Sequence, residues 1–133
     1  FVGPDFEIDI IKIGEFDSIA DRGIAPNIEN YLNGTSLNIQ SFAYDPEKRR
    51  LLGEIGLLSV IEKRIEVNCL YAFLNTTGSE IGAVQLMCPI ANSFGFEAII
   101  PQWHIINPRE RKKTKNPMGG RDCAQPNAEW IEW

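Results

Sequence analysis

At 133 residues, with 44% hydrophobic and 23% charged residues and a net charge of −5, the chain has the size and composition of one globular domain, and it excludes disordered and fibrous classes. No apolar run approaches the roughly 20 residues that a membrane helix needs, because Glu54, Glu62, Lys63 and Arg64 break the longest candidate. The chain opens on Phe1 without a methionine, which fits a processed product or an excised fragment.

Residues 6–13 read FEIDIIKI, with Phe6, Ile8 and Ile10 opposed to Glu7 and Asp9, the alternation of a half-buried strand. The period is lost over residues 15–34, where Asp17 and Asn27 are candidate helix N-caps and Gly23 and Gly34 candidate stops. One or two short helical turns fit there. Alternation returns over residues 37–44 and ends at Asp45-Pro46, a turn opener, because proline fixes its own φ and pushes the preceding residue out of the helical region.

Residues 51–100 organise the rest: apolar runs rich in Ile, Val, Leu, Tyr and Phe alternate with short breaks rich in Gly, Asn, Thr and charge. Residues 51–62 are read as a strand bent at Gly53 and Gly56, where glycine marks a bulge or a close backbone approach. Residues 65–74 are read as a central strand, residues 81–90 as a strand that stops at Pro89, and residues 96–100 as another. A helical reading of residues 51–74 is set aside because two internal glycines would each cost a helix about 1 kcal/mol. The expected fold is mainly β, an antiparallel sandwich, jelly roll or small barrel in a single domain over residues 1–133. The segment VQLMCPIANSFGFEAII shares its Asn-bearing loop and Gly-Phe-Glu strand with acetyltransferases. It lacks the glycine-rich pyrophosphate loop and, read as strands, leaves no room for the separating helix, so no family is assigned.

Charge is segregated. Residues 1–106 carry seven bases against fourteen acids, a net of −7, whereas residues 107–121 carry Arg109, Arg111, Lys112, Lys113, Lys115 and Arg121 against the single acid Glu110. A basic arm of this kind meets an anionic partner such as RNA, DNA or an anionic lipid surface; as a solvated loop it would instead keep an edge strand from pairing. The tail at residues 128–133 carries Trp130 and Trp133, which either pin the terminus onto the domain's own core or anchor a second subunit in a homo-oligomer.

Catalytic chemistry is sparse, and no catalytic residue is assigned. His104 is the only histidine, and its run QWHII places it among apolar neighbours, where a packed or solvent-facing imidazole is the simpler reading; a small hydrolase or transferase would pair it with Glu97 or Glu54. Cys69 and Cys88 lie in apolar runs and Cys123 beside Asp122, all poor settings for a thiolate. The odd cysteine count favours a reducing compartment over a disulfide framework, although Asn33-Gly34-Thr35 and Asn75-Thr76-Thr77 match glycosylation acceptors of secreted proteins. Acids at Asp5, Glu7, Asp9, Glu15, Asp17 and Asp21 lack the spacing of a calcium loop and read as a solvated face, so neither metal nor cofactor is assigned. The expected function is non-enzymatic: a binding or assembly domain that contacts an anionic partner through the basic arm, with a self-associating structural subunit as the alternative.

Overall fold

The computed structural model describes residues 3–108. It overturns the mainly β expectation: the structure is 49% helical and 12% strand, and its strands form two small two-stranded sheets, not a sandwich, jelly roll or barrel. In chain order the elements are α1 (Asp17–Ala20), α2 (Ile28–Asn33), β1 (Ala43–Asp45), β2 (Arg50–Leu52), α3 (Glu54–Glu62), β3 (Arg64–Ile65), α4 (Leu70–Thr76), α5 (Glu80–Phe94), β4 (Glu97–Ala98) and α6 (Trp103–Ile106). Short 3₁₀ turns occupy Ile13–Glu15 and Asn38–Gln40.

Of the short helices in residues 15–34, α2 follows its local signals, whereas α1 starts at Asp17 itself, with Phe16 at the N-cap position and no side-chain cap bond, and ends at Ala20, ahead of Gly23. The Asn27 side chain accepts the backbone N–H of Asn30 at 2.8 Å, capping α2, and Gly34 ends it. The Asp45-Pro46 turn also forms, because Asp45 Oδ1 accepts the N–H groups of Glu47 and Lys48 at 3.0 and 3.1 Å and folds β1 back onto β2. Residues 6–13, by contrast, are not a half-buried strand: Phe6, Ile8, Ile10 and Ile11 are all exposed.

Residues 81–90 belong to α5 and not to a strand. The Ser79 hydroxyl accepts the Gly82 N–H at 3.0 Å to start the helix, and Gly95 at φ 68° ends it, with Phe96 N–H returning to the Ala91 carbonyl at 2.8 Å. Between these caps Ala83, Met87 and Ala91 recur every four residues on one buried face. Pro89 lies on the exposed side, where solvent can satisfy the Gln85 carbonyl that a proline leaves without its donor. The predicted central strand of residues 65–74 is likewise split, into β3, an antiparallel bridge between Leu37 and Val67, and α4.

The stripe on α5 packs into a core of Leu37, Ile65, Val67, Phe73, Trp103 and Ile106. Phe73 meets Trp103 edge-on, with ring centroids 6.4 Å apart. Because α4 and α5 lie between β3 and β4, those strands pair in parallel: Glu97 N–H donates to Lys63 and Ile99 N–H to Ile65, both at 2.9 Å.

Asn38 and Ser41 fix the position of α3. Asn38 donates through Nδ2 to the Arg64 carbonyl at 3.0 Å and accepts the Glu66 N–H through Oδ1 at 2.9 Å, tying residues 38–41 to β3. The Ser41 carbonyl then lies against the first turn of α3, where a Cβ on Gly56 would stand 2.7 Å from its oxygen. Gly53 and Gly56 thus permit a close backbone approach, as the sequence suggests, but at a helix start and not in a bent strand.

Candidate functional site

Helix α3 is built inside out. Its sequence EIGLLSVIE is apolar almost all round, and the close approach of Ser41 forces its smallest residues inward, so that Gly56 and Ser59 are buried. The large side chains are left outside: Leu57, Leu58, Val60 and Ile61 are 48%, 43%, 42% and 64% exposed. A helix hydrophobic on every side belongs in a core or a membrane. No helix among the described residues is long and apolar enough to cross a membrane, and α3 has nine residues. The adjoining hairpin extends the apolar surface, since Tyr44 and Leu51 are directly opposite each other across β1 and β2 and are 59% and 67% exposed. A groove of about 390 Å³ walled by Ile28, Leu32, Leu52 and Ile55, with Glu29 and Glu54 among its lining, runs between α2 and the start of α3.

On its other flank α3 borders a pocket of about 190 Å³ whose walls include Ile55, Leu58 and Val67 and whose polar groups include Glu62, Glu66 and Asn68. Asn68 is 1% exposed. Its Nδ2 donates toward the Leu32 carbonyl, Thr35 Oγ1 and Ser41 Oγ at 3.1, 3.0 and 3.0 Å, with the Asn33 carbonyl at 3.4 Å. The two carbonyls fix the amide's orientation, because only an N–H can face them. Ser41 Oγ also donates to the Leu32 carbonyl at 2.6 Å, so this buried cluster closes the end of α2. Asn68 Oδ1 is buried and has no hydrogen-bond partner among the described residues. Glu66 is held by Arg64 at 3.5 Å, an ion pair open to solvent on both sides.

A cleft of about 450 Å³ lies where α1, α2 and α4 meet. Phe16 and Tyr31 meet there with ring centroids 4.7 Å apart and planes tilted by 48°, beside Asp17, Gln40, Asn75 and Thr76. Its polar groups are largely engaged within the chain: Gln40 Oε1 accepts the Leu37 N–H at 3.0 Å, and Thr76 donates to the Ala72 carbonyl at 2.9 Å and pairs with Ser36 at 3.1 Å.

The residues singled out by sequence divide into those outside the described part of the chain and those within it. Arg109, Arg111, Lys112, Lys113, Lys115, Arg121, Trp130 and Trp133 lie outside the described residues, as does Cys123. His104 sits half-buried on α6 between buried Trp103 and Ile106, and no hydrogen bond or ion pair joins it to Glu54, Glu97 or any other described carboxylate. Cys69 is fully buried, with the Arg22 guanidinium 3.7 Å from its sulfur, and Cys88 is half-buried. Among the described residues no group of three or more His, Cys, Asp or Glu side chains is placed to hold a metal ion. The face of α3 and the place of Asn68 escape a reading of residues 51–74 as strands. The signal that finds α3 is an apolar run whose two small residues, Gly56 and Ser59, stand three apart and so share one helical face.

Helix α5 supplies the separating helix that the acetyltransferase comparison lacked, yet its start is no anion site. Ser79 already takes the Gly82 N–H, Glu80 puts a carboxylate in the first turn, and no Lys or Arg occurs between Glu66 and Ile106. Comparison with protein-family models, curated proteins and solved structures finds no match to this chain.

Proposed function

We propose that this domain works by self-assembly, with a second copy docking on the outer face of α3 and on the exposed side of the β1–β2 hairpin. The observation that carries the reading is the inversion of α3, which buries Gly56 and Ser59 and presents Leu57, Leu58, Val60 and Ile61. Adding Tyr44 and Leu51 gives six large, roughly half-exposed apolar side chains per copy. Burying the exposed part of each is worth roughly 1 kcal/mol. A two-fold interface uses every contact twice, so the six supply about 12 kcal/mol against an association cost of about 4–15 kcal/mol. The α3 face alone, used once, would supply only about 4 kcal/mol, so the reading requires the symmetric arrangement. Sedimentation velocity over a concentration series tests it. The wild-type chain is expected to shift from one copy to two, and a chain with both Leu57→Asp and Ile61→Asp to remain a single copy with unchanged far-UV circular dichroism. A wild-type chain that stays single at every concentration refutes the reading.

The charge segregation favours a second reading, in which the arm at residues 107–121 contacts RNA, DNA or an anionic lipid surface. The rest of the chain up to residue 106, at −7, repels such a partner, so contact falls to the arm alone. Binding to single-stranded RNA, duplex DNA and anionic vesicles, titrated against salt, tests it; no binding to any of them at low salt removes it.

A further inference from the structure

The pocket beside α3 combines three features. Its aliphatic walls, Ile55, Leu58 and Val67, suit a methylene stem. Two carboxylates, Glu62 and Glu66, give it negative charge. The third feature is Asn68 Oδ1, a buried acceptor without a partner among the described residues. The nitrogen end of that amide is turned to Leu32, Asn33, Thr35 and Ser41, none of which lines the pocket, whereas Asn68 itself is part of the pocket wall. At about 190 Å³ the volume is below the roughly 300–1,000 Å³ of small-molecule sites and suits a single side chain.

The same chain carries a matching key. The hairpin turn exposes Lys48, Arg49 and Arg50 in succession, and Arg49 stands at φ 50° on the loop between β1 and β2. The apolar pair Tyr44 and Leu51 lies just behind it. The turn, residues 45–50, carries these three bases against Asp45 and Glu47, a net of +1, and residues 54–66, which hold α3 and the pocket carboxylates, carry Glu54, Glu62 and Glu66 against Lys63 and Arg64, a net of −1, so the two surfaces are apolar and opposite in sign.

We infer that in the assembled protein Arg49 of each copy enters the pocket of the other, its guanidinium donating to Asn68 Oδ1 and to the carboxylates of Glu62 and Glu66. The inference rests on the self-assembly reading and supplies its register: apolar contact of Tyr44 and Leu51 with α3 provides area, and the arginine fixes which hairpin meets which helix. A planar guanidinium with five donors can satisfy an amide oxygen and a carboxylate together, which an ammonium does less well. Glu66 exchanges its long contact with Arg64 for this one, in a setting walled by apolar groups, where a charge pair counts for more than on the open surface.

Charge reversal tests it on the full chain by sedimentation. Arg49→Glu, and separately the pair Glu62→Arg with Glu66→Arg, are expected to weaken the dimer about 100-fold with circular dichroism unchanged. An equimolar mixture of the two variants is expected to recover dimers to within about 10-fold of wild type, because each copy's tip then meets a pocket of opposite charge. Failure of the mixture to recover overturns the inference. So does wild-type dimerisation by either variant; if the chain with Leu57→Asp and Ile61→Asp is then still monomeric, the assembly reading stands without this key. Loss of the dimer on Lys112→Gln, Lys113→Gln and Lys115→Gln, with Arg49→Glu silent, also overturns it by assigning the pocket to the arm. A monomeric wild type overturns both.

Discussion

Replacing Gly56 by alanine tests how closely α3 is packed against Ser41. In an exposed helix the exchange stabilises by about 1 kcal/mol. Here the new Cβ would stand 2.7 Å from the Ser41 oxygen, 2.8 Å from its carbon and 2.9 Å from the Phe42 ring, so reaching ordinary contact at 3.4 Å needs a parting of about 0.7 Å. Two of those atoms are backbone, and Ser41 also carries the hydroxyl that bonds Asn68 and the end of α2, so the shift propagates. Overpacking of this kind costs about 1–3 kcal/mol, the upper part of which applies to a backbone neighbour. Set against the propensity gain, Gly56→Ala should destabilise by about 1–2 kcal/mol. Gly82→Ala in the first turn of α5 is the control, since its nearest neighbour is the Ser79 hydroxyl at 3.2 Å, which reaches ordinary contact at 3.4 Å by a shift of about 0.2 Å that keeps its bond to the Gly82 N–H. It should stabilise by about 0.5–1 kcal/mol. Urea denaturation of both variants measures the difference, expected at about 2 kcal/mol with equal m-values. Equal stabilisation by the two alanines would refute the packing of α3 on Ser41 and with it the reason its large side chains face outward.

Lys63→Gly should raise stability by about 0.5–1 kcal/mol, read as a higher melting temperature, because Lys63 caps α3 at φ 54° and ψ 47°, the left-handed region that favours glycine. Asn68→Ala should cost about 2–4 kcal/mol in chemical denaturation, since it removes the donor to the Leu32 and Asn33 carbonyls; Asn68→Asp should cost more, because it sets a carboxylate against them. Replacing Lys112, Lys113 and Lys115 together by alanine should change stability by less than about 0.5 kcal/mol. The same variant should lower the logarithmic salt slope of any polyanion binding, measured by salt titration, by about 0.7–0.9 for each phosphate that the arm no longer neutralises.

What the sequence reveals and what it hides divide along physical lines. Signals complete within a few residues were legible: the Asn27 cap, the Gly34 stop and the Asp45-Pro46 turn are set by local hydrogen bonds and by proline geometry. Gly53 and Gly56 were legible as a close approach, although the element was not, because an apolar run does not distinguish a strand from a helix by periodicity. Helix α5 was hidden because residues 81–90 satisfy two patterns at once. Pro89 suggested a strand end, whereas the four-residue spacing of Ala83, Met87 and Ala91 between Ser79 and Gly95 is the helical signal that prevailed. Of the candidate site only the three-residue spacing of Gly56 and Ser59 is legible, since the exposure of Leu57 and Ile61 depends on Ser41 approaching from outside the helix, and the unpartnered acceptor of Asn68 depends on where α2 ends.

The central claim, that the outer face of α3 is covered by a second copy's hairpin, is tested most directly by an isotope-filtered nuclear Overhauser measurement on a mixture of methyl-labelled and unlabelled chains. Cross-peaks are predicted from the labelled Leu57 and Ile61 methyls to the Tyr44 ring of the unlabelled copy, and they should vanish on dilution to the single-copy state. A dimer in which those methyls show no contact across chains would contradict the claim.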